Sequence, residues 1–361
     1  MSENTLLNHY DTVVAGAGPA GVMAAIHAAA RGNVLLVDAA KLPRDKSCGG
    51  MLNEYSQEFL SHFGEIPSQM ILDPQWVNFR YHDWDRRVLK PTELRFLNVD
   101  RRAFDGWLVS LLPENVTVAG STSVTGFEQD AEGLGVSLGN GNGGVTVTCN
   151  NLIGADGPRS SVRRQLGAGG VATYVTLQDF CRIEGAIEPY FDCIYFRDIG
   201  DEFAYAYVVP KGDVAIVGSV FYPKTKRPHL KHDQVLERLR ESLPLGESTK
   251  REAWVALSVR HTSDIVPGAG RVLLAGEAGG FMSPSSGEGI SYALNTGRLA
   301  GTAVAENDPA GALAAYREAT AHICDNVARK LRWLPFMESR AGKYLAGFVP
   351  TPIVSRITKG L

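Results

Sequence analysis

Cysteine is scarce and scattered in this chain. Cys48, Cys149, Cys181, Cys193 and Cys324 are the only five in 361 residues, and no two form a C-x-x-C pair. An odd, dispersed set predicts neither a disulfide framework nor a zinc site, and it fits a reducing compartment, so the expected location is cytoplasmic. No run of 18 clean apolar residues offers a membrane span. Residues 1–9 lack the basic and apolar regions of a secretory signal. Charge of one sign is not in excess either, because the net charge is −3, which excludes the broad basic field of a nucleic-acid binder. Histidines at a metal-like spacing occur only in His229-Leu230-Lys231-His232, whose charged neighbours predict a solvated helix start; no metal site is expected. No internal repeat is present. What remains is 44% hydrophobic and 21% charged, the balance of a globular chain with one large core or two coupled domains.

What the chain does have is a glycine-rich unit between Tyr10 and Asp38. An apolar strand (12–15) runs into Gly16-Ala17-Gly18-Pro19-Ala20-Gly21, followed by an alanine-rich helix and a second apolar strand (34–37) ending on Asp38 and Ala39. The glycines divide the mechanical work, in that Gly16 makes the tight turn, Gly18 admits a pyrophosphate to the backbone, and Gly21 lets helix and strand pack closely. The helix N-terminus offers unpaired N–H groups and a positive dipole end to phosphates. Asp38, seventeen residues beyond Gly21, stands where a carboxylate can accept both hydroxyls of an adenosine ribose. A bound dinucleotide is the expectation.

Farther on, a polar loop (41–51) closes on Cys48, Gly49 and Gly50, with Arg44 and Lys46 close in sequence. Cys48 reads either as an activated thiol or as a small buried residue in a turn. An amphipathic helix is expected over 54–63, and strand alternation with many aromatics over 76–98, either lining a pocket or filling a sheet core. Asp100 reads as the N-cap of a helix beginning at Arg101-Arg102, two arginines that either bridge phosphates or sit in water. Short strands with Gly-Asn turns around 139–144 precede a strand that stops at Asp156-Gly157, where open α/β sheets present ligands. Strands are expected at 171–177, 180–187, 193–196, 204–209 and 214–221, then a helix at 233–243. The strand 272–275 ends in Gly276-Glu277-Ala278-Gly279-Gly280, and a small-residue helix follows to about residue 306. The last stretch is helical and basic: from Asp325 on, seven Lys/Arg face two acids among scattered aromatics.

Taken in order, G-A-G-P-A-G with its terminal acid, D-R near 100, G-A-D-G near 155 and G-E-A-G-G near 277 resemble FAD enzymes built like p-hydroxybenzoate hydroxylase. R-D-K-S-C-G-G-M-L and S-S-G-E-G-I-S-Y-A-L are most similar to the geranylgeranyl reductase family, in particular its CbrA-like branch, and the resemblance spans about residues 10–320. It implies an α/β fold: a Rossmann-like FAD-binding domain (1–75, 99–165 and 260–308), an inserted antiparallel β-sheet substrate domain (76–98 and 166–259), and a helical C-terminal region (309–361). It also implies tightly bound FAD. Gly16, Gly18, Pro19, Ala20, Gly21, Asp38 and Ala39 would hold the pyrophosphate and adenosine end. Arg101 would lie against the phosphate and ribityl region, and Asp156 with Gly157 near the pyrophosphate. Gly276 and Glu277, glutamate where the family has Asp, would flank the ribityl chain. Gly287, Gly289 and Ile290 would begin a helix facing the flavin pyrimidine edge, where its N-terminus stabilises reduced flavin. Glu288 there reads equally as an acid pairing with its own helix dipole. Cys48, Gly49 and Gly50 would lie near the flavin face.

The family's Y-x-W-x-F-P substrate segment appears here as Tyr205-Ala206-Tyr207-Val208-Val209-Pro210, so the pocket keeps its place with a different lining. The leading expectation is an FAD-dependent oxidoreductase reducing a carbon–carbon double bond in a small apolar, isoprenoid-like substrate. Cys48 would be the proton donor, and Tyr205 and Tyr207 pocket residues. With one dinucleotide unit, NAD(P)H would visit only as a transient reductant. The alternatives are a flavin monooxygenase and a non-catalytic flavoprotein; a halogenase is disfavoured because no W-x-W-x-I-P segment occurs. Residues 325–361 either form a lid with charges in water or dock on the inner face of an anionic membrane.

Overall fold

The buried run Val34–Val37 has no polar alternation because both faces of its sheet are covered, the pattern of a parallel α/β core. The computed structural model describes residues 6–139, 143–346, 348–350 and 352–353, so part of the expected Gly-Asn turn and residues 354–361 lie outside the described residues. Strand β1 (His9–Ala15), helix α1 (Pro19–Ala28) and β2 (Val34–Val37) form the expected unit, with Thr12 paired to Val34 and Ala15 to Val37 in parallel. The chain then leaves this sheet through β3 (Met51–Leu52), α2 (Glu54–Ser61) and a long hairpin, β4 (Ile71–Asp83) with β5 (Val88–Val99). It returns in α3 (Arg101–Ser110), capped by Asp100 accepting the Ala103 N–H at 2.7 Å.

Strand β6 (Val116–Ala119) extends the first sheet beyond β2, and β7 (Ser123–Gln129), β8 (Leu134–Gly139) and β9 (Gly144–Gly154) form a meander whose last strand runs parallel beside β1. The short α4 (Ser161–Gln165) follows. The second sheet is then completed by β10 (Thr173–Ile183), β11 (Tyr190–Tyr195), β12 (Phe203–Lys211) and β13 (Val214–Phe221), helix α5 (Pro228–Arg240), and β14 (Leu245–Leu257). Its order is β14-β10-β13-β12-β11-β4-β5-β3, antiparallel apart from the β11–β4 pair. The first sheet closes with β15 (Gly268–Ala269) and β16 (Val272–Leu274), the latter parallel to β9. Helices α6 (Ile290–Glu306), α7 (Ala312–Glu338) and α8 (Arg340–Ala346) follow. Helix α6 lies directly on α1: a Cβ at Gly297 would stand 2.1 Å from the Ala20 carbonyl oxygen.

Several boundaries differ from expectation for physical reasons. The two strands expected at 171–187 are one strand, β10, because Gln178 and Asp179, which read as a break, are buried within the sheet with side-chain partners. Strand β14 has no counterpart among the expected strands, since residues 247–252 are all polar and two register shifts against β10 break its alternation. The aromatic strand begins at Ile71 rather than 76. His232 corrects the reading of a solvated helix start. It lies fully buried in α5 against β13, its Nδ1 2.7 Å from Ser219 Oγ and its Nε2 3.1 Å from Asp179 Oδ1, with Arg251 on the same carboxylate.

Candidate functional site

One cavity of about 1830 Å³ runs from the C-terminal edge of the first sheet to the inner face of the second. Every site residue expected from the sequence borders it except Gly21, which is buried with its Cβ position 1.6 Å from the Gly16 carbonyl oxygen. Gly21 therefore acts on packing. Gly16 has φ +99° and would drive a Cβ into the Ala155 carbonyl, so the turn requires glycine. Among the described residues, a Cβ on Gly18 would meet only the Arg44 side chain, and one on Gly157 would meet nothing within 4 Å. The backbone at both points is open for a phosphate.

Asp38 at the end of β2 accepts the Ala17 N–H on Oδ2 at 2.8 Å, the Ala40 N–H on Oδ1 at 2.9 Å, and Arg44 Nε at 3.2 Å. A carboxylate offers about four acceptor sites, so one on Oδ1 is left for a ribose hydroxyl. Asp156 uses Oδ2 to cap α4 through the Ser161 and Val162 N–H groups, while its buried Oδ1 has no partner among the described residues. An unmet buried acceptor beside the cavity calls for a donor, and the hydroxyls of a ribityl or ribose group are donors of that kind. Glu277 binds Lys46 at 3.1 Å and the Leu257 N–H at 3.2 Å, tying the first sheet to β14. Gly287 and Gly289 precede α6, and Glu288 caps that helix by accepting the Ser291 N–H and hydroxyl at 2.8 and 2.6 Å. Burial raises the Glu288 carboxyl despite those bonds.

Cys48 lies where the two sheets meet. Burial opposes its ionisation, but the Arg101 guanidinium, the Gly50 N–H and Lys46 together hold the thiol below its usual value. Arg101 is itself buried and forks onto Asp105 at 2.8 and 3.3 Å, so its charge serves Asp105 and the thiol together. Arg102, next to it, is exposed and pairs with Asp45. Gly50 has φ +60°, and a Cβ there would stand 2.3 Å from the Val99 carbonyl and 2.8 Å from Lys211 Nζ.

Facing the thiol is an aromatic wall. Tyr207 stacks on Phe191 with centroids 5.2 Å apart, and Phe191 on Phe79 at 5.9 Å. Gln178 donates to the Tyr207 hydroxyl and takes a hydrogen bond from Ser47, linking the wall to the Cys48 loop. The Tyr205 hydroxyl comes within 3.5 Å of the Cβ position of Gly287, at the entrance to α6. Burial pushes both phenols well above their ordinary values, so they stay protonated. Trp76, Phe96, Tyr174 and Tyr222 complete an apolar lining.

Three contributors escaped the sequence reading in these roles. Arg44, read there only as a cation near Cys48, lies beside Gly18 and on Asp38; its signal is a basic residue six positions after the ribose acid. Gln178 and Lys211 come from the second sheet, and no local pattern announces that they reach the Cys48 loop.

A protein family described as "FAD binding domain" matches residues 110–329. The chain belongs to this family. The cradle just described fits FAD, with open backbone at Gly18 and Gly157 for the pyrophosphate and unmet acceptors on Asp38 and Asp156 for hydroxyls. This FAD-binding chain is 29% identical to Protein CbrA of Escherichia coli O9:H4 (strain HS) over 321 residues, covering 87% of this chain and 86% of that protein. The crystal structure of a geranylgeranyl bacteriochlorophyll reductase-like protein from Thermoplasma acidophilum superposes with a TM-score of 0.80 at 19% identity, over 98% of this chain and 92% of that one. The flavin-dependent brominase Bmp2 follows at 0.74 and 18%, over 97% and 93%. At such identities the structures share the fold alone, and that fold is the expected α/β FAD-binding type with a second sheet and a helical C-terminus.

Proposed function

We propose that this flavoprotein reduces a carbon–carbon double bond of an apolar, isoprenoid-like substrate, with FAD held between turnovers and NAD(P)H visiting as reductant. The supporting observation is the single cavity that joins the dinucleotide cradle, the Cys48 thiol and the aromatic wall. When bound, FAD supplies the hydride, exchanged at N5 of its isoalloxazine ring. The aromatic wall takes the apolar chain and excludes water. Cys48 gives its proton to the second carbon of the double bond, so one C–H bond comes from the hydride and the other from the thiol. The thiolate left behind is stabilised by Arg101 and Lys46. Tyr207, fixed by Gln178, and Tyr205, beside Gly287, orient the substrate at the reacting face.

The test is anaerobic stopped-flow spectroscopy of the yellow protein reduced with NADPH or dithionite. A polyprenyl alkene is expected to restore the oxidised spectrum without oxygen, and Cys48→Ala to slow that phase about 100-fold, as loss of a general acid does. Reoxidation only by oxygen, through a further spectral transient, would instead make the protein a monooxygenase. Indifference to both alkene and NADPH would make it a non-catalytic flavoprotein.

A further inference from the structure

We infer that the cavity rim built by the end of α7 and the segment after it docks on an anionic lipid bilayer. This rests on the apolar-substrate reading above. Arg329, Arg332, Trp333 and Phe336 follow one another at i, i+3, i+4 and i+7, so they lie on one face of α7. That face is turned outward: Trp333 is 63% exposed and Phe336 48%. The same four residues border the cavity, and Ile353, itself 49% exposed, borders it too. Trp333, Phe336 and Ile353 are therefore exposed apolar groups at the border of the cavity.

Charge selects the partner. Arg329 and Arg332 have no ion pair among the described residues. The nearby acid Glu338 is already taken by Arg260 and Tyr174. Unpaired cations interleaved with Trp and Phe suit the headgroup level of an anionic bilayer, where aromatic rings enter the interface and cations meet phosphate. An opening placed there passes a water-insoluble alkene from the bilayer to the aromatic wall without exposing it to water.

Co-sedimentation of the full-length flavoprotein with vesicles tests this without any turnover, so a failed alkene assay leaves the result readable. Vesicles of phosphatidylcholine with one-third phosphatidylglycerol are compared with pure phosphatidylcholine. Preferential sedimentation with the anionic vesicles is expected. Arg329→Gln/Arg332→Gln is expected to lower partitioning about 30-fold, since each basic residue near such a surface adds comparable affinity. Trp333→Ser/Phe336→Ser is expected to abolish it while flavin content and melting temperature stay unchanged. The emission assigned to Trp333, by difference from Trp333→Phe, is expected to shift to the blue on anionic vesicles. Equal sedimentation of wild type and variants, or equal binding to neutral vesicles, would overturn the inference. So would a dimer in solution that Trp333→Ser/Phe336→Ser converts to monomer while vesicles are ignored, because a second copy would then cover the face.

Discussion

The Lys211 ammonium donates to the Gly50 carbonyl at 2.9 Å and to the Val99 carbonyl at 3.1 Å, fastening the Cys48 loop to the second sheet. Burial brings this ammonium down to about 7, with Cys48 and Asp100 opposing the fall. Lys211→Met removes both the tether and a cation that faces the thiol. The thiol is expected to rise, so alkylation of Cys48 by iodoacetamide at pH 7 slows severalfold. Alkylation rate against pH, read by mass spectrometry of the Cys48 peptide, checks this.

The same lysine makes stability depend on pH. Its folded value near 7 lies below the 10.5 of an exposed lysine, so between these values the unfolded chain holds the extra proton. Folding is then favoured as pH rises, and the contribution present above 10.5 is lost as pH falls through 7. Urea melts from pH 7 to 9 are expected to show wild type gaining roughly 2 kcal/mol relative to Lys211→Met, following about 1.4 kcal/mol per pH unit. A pH-independent difference would show that Lys211 does not titrate there.

Gly18 and Gly21 are three residues apart and predict opposite failures. Among the described residues, a Cβ at Gly18 meets only the movable Arg44 side chain, whereas at Gly21 it strikes the Gly16 carbonyl. Gly18→Val is expected to give folded, colourless protein that does not take up FAD. Gly21→Ala is expected to lower the melting temperature of the apoprotein itself. Circular dichroism melts beside flavin absorbance separate the two.

Tyr207 lies across Gly218 on the neighbouring strand, where a Cβ would stand 2.0 Å from a ring carbon. Gly218→Ala is expected to cost about 1–3 kcal/mol as an overpacked site and to turn the ring off Phe191. Tyr207→Phe, which keeps the ring, is expected to cost about 1–3 kcal/mol as well, because the buried Gln178 amide loses its acceptor, but to leave the ring on Phe191 and the KM for the alkene near that of wild type. Melting temperature and the KM for the alkene distinguish ring placement from hydroxyl function.

How much of this was readable beforehand follows from where each contact originates. The β1–α1–β2 unit was legible because its glycines, apolar strands and terminal Asp38 are local in sequence and each has one mechanical explanation. The convergence of Arg101, Asp156 and Glu277 on one cavity came only through the resemblance in motif order, since nothing local brings them together. The role of Lys211 and Gln178 was not legible, because their partners lie more than a hundred residues away and their own strands read as ordinary. His232 misled for a related reason. Its charged neighbours describe the exposed side of α5, while the side chain itself points at Ser219 and Asp179.

Asp105 controls Cys48 through Arg101. The guanidinium divides between the Asp105 carboxylate and the thiol, so removing the carboxylate charge leaves more of its field for sulfur. Asp105→Asn is therefore expected to lower the thiol further. If Cys48 supplies the proton, alkene reduction must fall as the thiol ionises, and in wild type this decline begins below the 9.0 of a free cysteine. In Asp105→Asn the alkaline limb is expected to move to lower pH. In Cys48→Ser it is expected to vanish, leaving a slow, flat profile. Profiles of kcat/KM against pH for the three proteins decide the matter: a limb that persists unchanged in Cys48→Ser belongs to another group and removes the thiol from the proton transfer.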